Sequence, residues 1–150
     1  MNHHLLVAAG IIGTGVVSGV FFAFSGFVMP GLGRLPAPQG VAAMQAINVT
    51  AVTPPLMIAL LGTAVICLGI IVEAVVAWGT PGTALRLFAA LLYLVGVVGV
   101  TMAFNVPRNN ALAALQPDSA QAAAYWATYL REWTTWNSVR TLASGIAMAI

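Results

Sequence analysis

The chain has 150 residues, 61% of them hydrophobic and 5% charged, and its formal charge of +2 comes from five arginines against three acids. That composition excludes a soluble globular domain, which needs far more charge to cover its surface. The net charge is also too small for nucleic-acid binding, so one membrane-embedded domain over residues 1–150 is the expectation.

The first apolar run, Leu5 to Phe27, predicts a transmembrane helix at about 5–27. It is too long for a signal-peptide core and has no cleavage pattern behind it. Gly15, Gly19 and Gly26 fall on one face of this helix, where a neighbouring helix of the bundle or of a homo-oligomer can approach closely. Pro30 to Thr53 is a long connection whose middle, Val41 to Asn48, suits a short helix lying at the membrane surface. Pro54 and Pro55 then open a second span at about 56–78, since proline is tolerated in a first turn. Cys67, alone in this span, cannot form an intramolecular disulfide and reads as a buried small residue.

The turn from Gly79 to Thr83 is short, so the third span, about 85–104, is the antiparallel neighbour of the second. Glu73 and Arg86 each lie about one turn from that connection and are expected to pair at the interface. Gly96, Gly99 and Ala103 give the third span a small-residue face of its own. Asp118 with Gln121 forms a capping-box pattern that starts the last helix, at 119 or nearer Trp133, running to 150 and expected to continue beyond Ile150. On it Trp126, Tyr129, Trp133, Trp136, Asn137 and Arg140 share an arc of roughly 100°. An interfacial aromatic belt does not require Asn137 and Arg140 to continue the stripe, so the stripe is expected to face inward.

The expected fold is therefore all-α: an integral membrane four-helix bundle with a surface-lying segment after helix 1 and an extended amphipathic helix leading into helix 4. Arg34, Arg108, Arg131 and Arg140 flank the 1–2 and 3–4 loops, which places those loops in the cytoplasm by the positive-inside rule. The expected location is a bacterial inner (plasma) membrane, crossed several times.

The same topology brings Gln45, Asn48, Asn105, Arg108, Asn109, Asn110, Asn137 and Arg140 to one membrane level. Amides and arginine near hydrocarbon are costly unless paired or used. Two readings stay open: a hydrogen-bond network that closes the end of the bundle, with arginine capping helix carbonyls, or a ligand site. Apart from His3 and His4 there is no histidine, and no acid falls in this cluster, so a zinc or di-iron centre is not expected. His3, His4 or a methionine could hold haem or copper, and a free Met1-Asn2-His3 terminus could chelate Cu(II). No set of residues suits hydrolysis or nucleotide chemistry.

Phe21-Phe22-Ala23-Phe24-Ser25, Phe27-Val28-Met29-Pro30, Ala43 to Asn48, Phe104-Asn105-Val106-Pro107 with Asn109, and Trp133 to Thr141 together resemble the anthrone oxygenase-like family of small four-helix membrane proteins. The resemblance covers essentially the whole chain. It implies a cofactor-independent oxygenase or oxidase acting on a lipophilic phenolic or quinol-like molecule. Asn105, Asn109, Asn137 and Arg140 would then hold the substrate oxygens in the catalytic role. Gln45, Phe24, Asn48, Arg108, Asn110, Tyr129, Trp133 and Trp136 would bind the rest of the substrate. This chain has Asn110 where the family often has aspartate, and Ser138 where it often has histidine, so a base in those places is missing. The alternatives are a non-catalytic module binding a quinone, a membrane lipid or haem, and a structural subunit that docks other helices.

Overall fold

The computed structural model describes residues 3–150; Met1 and Asn2, and with them the N-terminal copper motif, lie outside the described residues. The described residues form five helices and no strand. They are α1 (His3–Leu32), α2 (Ala37–Ala51), α3 (Pro54–Val76), α4 (Thr83–Ala113) and α5 (Ala120–Ala149). Three of them, α1, α3 and α4, are long and apolar enough to cross a membrane, with mean hydropathies of 2.2, 2.6 and 2.3. The chain is thus a membrane protein by length and composition. Its fifth helix, α5, is 30 residues long but does not reach that apolarity.

The long helices alternate in direction. Ser18 of α1 donates to the Thr141 carbonyl of α5, and Asn137 of α5 reaches Phe21 of α1. Further along the same pair, Gly15 faces Met148. Gly10 of α1 meets Ile70 of α3, Tyr93 of α4 donates to the Leu60 carbonyl of α3, and Gly96 of α4 is pressed against Ala143 of α5. Between lipid-facing helices there is no hydrophobic drive, so such close fits and internal hydrogen bonds hold the assembly. Gly19 and Gly26 are exposed, so within one chain no neighbouring helix packs on them.

Both α1 and α4 outrun their expected ends because proline does not stop them. Each passes through a π turn, Phe24–Val28 in α1 and Thr101–Asn105 in α4. Pro30 and Pro107 each stand two residues past their π turn. Proline lacks an N–H and its ring crowds the carbonyl four residues earlier. A widened turn just ahead of it gives that carbonyl room, and the helix continues. A second π turn in α4, Leu94–Gly99, has no proline after it and surrounds the Gly96–Ala143 contact.

The expected surface segment is a full helix, α2, of 15 residues. It lies across the end of the bundle where α1 finishes and α5 begins, its Val41 and Met44 buried against Leu112, Trp126 and Tyr129. A Cβ at Gly40 would overlap the Trp126 indole, so only glycine lets α2 sit this close. The α5 cap also differs from expectation by one residue: the Ser119 hydroxyl, not Asp118, accepts from the Ala122 N–H at 3.1 Å.

Candidate functional site

The buried stripe of α5 runs Ala122, Trp126, Tyr129, Trp133, Asn137, Arg140, Ser144 and Ala147, spaced three or four residues apart. Its lower polar members meet the π turns of α1 and α4. Arg140 is 5% exposed and no carboxylate stands beside it. The three acids are elsewhere: Glu73 at the far end, Glu132 bonded to Arg108, and Asp118 in the α4–α5 connection. The Arg140 guanidinium lies 4.1 Å above the Phe21 ring and 5.4 Å from that of Trp133. Such cation–π contact contributes about 2 kcal/mol when desolvated, less than the several kcal/mol that burying an unpaired ion costs.

Two hydrogen bonds aim this cation. One terminal nitrogen donates to Thr101 Oγ1 at 3.0 Å and the other to Asn137 Oδ1 at 2.8 Å, while Nε has no partner. A guanidinium carries five N–H donors, so more than half of its donor capacity is unused in the protein. Asn137 is itself fixed, because its Nδ2 donates to the Phe21 carbonyl at 2.6 Å and to Ser25 Oγ at 2.7 Å. The carbonyl can only accept, which settles the orientation of the amide and turns Oδ1 to Arg140.

Arg140 lines a cavity of about 120 Å³ between α1, α2, α3 and α4. Its wall is mostly apolar, with Val20, Phe21, Met44, Ile47, Leu56 and Met57 joined by Phe24 and Trp133, and its polar members are Asn48, Thr101, Asn109 and Arg140. Asn109 is held as firmly as Asn137: its Oδ1 accepts from Tyr129 Oη and from Trp133 Nε1, each at 2.8 Å. Indole N–H can only donate, so oxygen must face it, and the amide N–H groups of Asn109 are the unengaged end of this side chain. Asn48 Nδ2 makes a long 3.5 Å contact to Tyr129 Oη. No carboxylate or imidazole is among the lining residues.

The expected site residues therefore divide. Phe24, Asn48, Asn109, Trp133 and Arg140 come together in the cavity wall. Asn105, Asn137 and Tyr129 are buried behind it; Asn105 donates to the Trp133 carbonyl at 3.2 Å and its Oδ1 has no partner. Gln45 and Arg108 are spent within the protein instead, Gln45 at the end of α4 and Arg108 on its π turn and on α5. Gln45 donates to the carbonyls of Leu112 and Leu115, and Arg108 to the Phe104 carbonyl and, at 2.8 Å, to Glu132. Asn110 is exposed, in an outer groove that also touches Gln45, Asn48 and Asn109. Trp136 is turned away and stacked on Phe104, ring centroids 3.5 Å apart. His3 and His4 stand at the opposite end, where His3 Nδ1 is 3.2 Å from Glu73 Oε1. Among the described residues no group of three His, Cys, Asp or Glu could hold a metal ion.

Two members escaped sequence reasoning. Thr101 positions Arg140 and precedes Asn105 by one turn, a same-face spacing that could have exposed it. Phe21 stood among the family-like residues, but nothing in its surroundings marked it as the floor beneath an arginine.

The polar chain that carries this geometry, Asn48, Asn105, Asn109, Asn137 and Arg140, lies within residues 43–150, the span matched by a family model described as anthrone oxygenase. The chain belongs to the anthrone oxygenase family. The matched span covers most of α2 and all of α3, α4 and α5, while Phe21 and Phe24 of α1 precede it. No curated protein and no solved structure matches the chain.

Proposed function

We propose that this member of the anthrone oxygenase family is a membrane oxygenase or oxidase that takes a lipophilic phenolic or quinol-like substrate as its anion. One observation carries the reading: a buried guanidinium with unused donors and no carboxylate, facing an apolar cavity. An anionic oxygen between Arg140 and the Asn109 amide would supply the missing counter-charge, and Phe24 and Trp133 would flank its ring. Donors fixed in advance around a developing oxyanion are an effective catalytic device in a water-poor site.

The chemistry follows from what the cavity holds and lacks. For a substrate of anthrone type, loss of a ring C–H proton gives an electron-rich carbanion that forms a C–O bond with O2. The O–O bond then breaks, one oxygen stays on carbon as a carbonyl, and the other leaves as water with the two methylene hydrogens. O2 is the oxidant and no cofactor enters the balance. A haem on His3 or His4 would lie at the opposite end of the bundle. With no carboxylate or imidazole in the wall, the proton is lost to water before the substrate enters the cavity, not to a protein base.

In the same reading α5 is the fourth membrane span. It turns Asn137, Arg140 and Ser144 inward, polar residues that lower its mean hydropathy, and presents Leu142 and Ile146 outward. The site end then faces the cytoplasm, since Arg34, Arg108 and Arg131 gather there against Arg86 at the other end.

The test is O2 consumption by protein in mild detergent with anthrones and hydroquinones of graded acidity. The expected kcat/KM rises tenfold per pH unit below each substrate's own pKa and levels above it, the break moving with the substrate. A break fixed at one pH for every substrate would instead assign a protein base. The missing base also favours a second reading, a module that binds such anions without turning them over; tight binding with no O2 uptake would select it.

A further inference from the structure

Three of the five arginines have assigned positions: Arg86 beside Glu73, Arg108 on Glu132, and Arg140 in the cavity. The other two, Arg34 and Arg131, are exposed and line one open groove of about 490 Å³ between the end of α1 and the middle of α5. No acid lines it, and each of the chain's three acids is placed elsewhere. Thr134 and Ser138 add hydroxyls to its α5 wall, while Met29 and Leu130 make part of it apolar.

The groove does not end in polar surroundings. On α1 the same face continues toward the bundle middle as Gly26 and Gly19, both exposed; a Cβ at Gly19 would meet nothing within 4 Å, and one at Gly26 only the edge of the Phe22 ring at 3.9 Å. Leu142, 65% exposed, continues it on α5. A cationic pocket near the end of α1, opening onto an apolar track of small residues bordered by Phe22 and Leu142, has the charge and shape of one amphiphile.

We propose that this groove binds an anionic phospholipid, its phosphate between Arg34 and Arg131 and one acyl chain along the α1–α5 seam over Gly26 and Gly19. The charge decides between lipids. Two arginines without a carboxylate leave a positive field that a phosphate carrying net charge neutralises and a zwitterionic headgroup does not. An occupied groove also braces the seam beside the cavity, because Ser138 shares a 3.0 Å hydrogen bond with Ser25, the acceptor for Asn137. The binding itself is independent of any turnover at Arg140.

Protein in neutral detergent would be titrated with phosphatidylglycerol or with phosphatidylcholine of the same chains, and retained lipid counted by native mass spectrometry. A basic residue at a membrane surface favours an anionic lipid about fivefold, so the pair is expected to prefer phosphatidylglycerol roughly thirtyfold. That preference should fall to parity in Arg34→Gln/Arg131→Gln, drop about fivefold in each single variant, and weaken in high salt. Equal retention of the two lipids by the wild type, or a preference that survives the double variant, overturns the proposal. So does a protein dimer in the same spectra that is lost with the two arginines, which would give the groove to a second copy of the chain.

Discussion

Arg86 and Arg140 face the same problem at opposite ends of the bundle and meet it differently. Arg86 lies near a helix end and shares Glu73 with His3, the Arg86 Nε–Glu73 Oε2 distance being 3.4 Å and both side chains part-exposed. Charge is balanced there within the protein, and water is close. Arg140 is deeper, 5% exposed, held by two neutral oxygens and two aromatic rings, and balanced by nothing the chain contains. A paired interfacial arginine closes a structure, whereas an unpaired buried one is, in the proposed function, the partner of the substrate anion.

The largest effect expected from that contrast is at Arg140. Arg140→Met should lower kcat/KM by about a thousandfold, the scale of losing a preorganised oxyanion donor. Its effect on stability should be small, within about 1 kcal/mol, because removing an unpaired buried charge offsets the two lost hydrogen bonds. Thermal unfolding in detergent alongside O2 uptake separates the two effects. A variant that loses both fold and activity together would make Arg140 a structural residue like Arg86.

Asn109 sharpens the same division. Asn109→Leu strands Tyr129 Oη and Trp133 Nε1, each now bonded to Oδ1 at 2.8 Å, and should cost about 2–4 kcal/mol. Asn109→Asp keeps both accepted bonds and so should fold, but it sets a carboxylate in the wall of the Arg140 cavity. That internal anion competes for the guanidinium and is expected to weaken binding of a phenolate at least tenfold. Calorimetric titration with one phenolate against both variants reads the difference. Gly40→Val is a step smaller, about 1–3 kcal/mol, because it overlaps the Trp126 indole and must push α2 off α5.

Much of the helical architecture was legible because apolar runs of span length and a stripe at 3.6-residue spacing leave little choice. The ends were not. Asn105-Val106-Pro107 reads as a terminator, yet α4 continues to Ala113 because the Thr101–Asn105 π turn absorbs the proline. Nothing in a linear pattern announces which carbonyl will widen. The site was legible as a level, not as a pocket: the amides and arginines do gather at one end, but their partners divide them. Gln45 and Arg108 cap carbonyls, as a closing network would have them, while Asn48, Asn109 and Arg140 line a cavity. Which residue does which depends on rotations of about 100° per residue that a π turn alters. Trp136 belongs to the sequence stripe and still stacks outward on Phe104.

The smallest effect is expected at the paired end, and it completes the comparison. Glu73 touches both His3 and Arg86 but is a quarter exposed, so its ion pairs are screened by water and salt. Glu73→Gln should shift stability by about 0.2–1 kcal/mol and leave phenolate binding and O2 uptake unchanged. Unequal outcomes at the two ends follow from burial, not residue type: Arg86 keeps partial access to solvent when its partner is lost, while Arg140 has neither solvent nor partner. Loss of phenolate binding in Glu73→Gln, with the helical content intact, would mean that the two ends are energetically coupled through the bundle and would break the contrast.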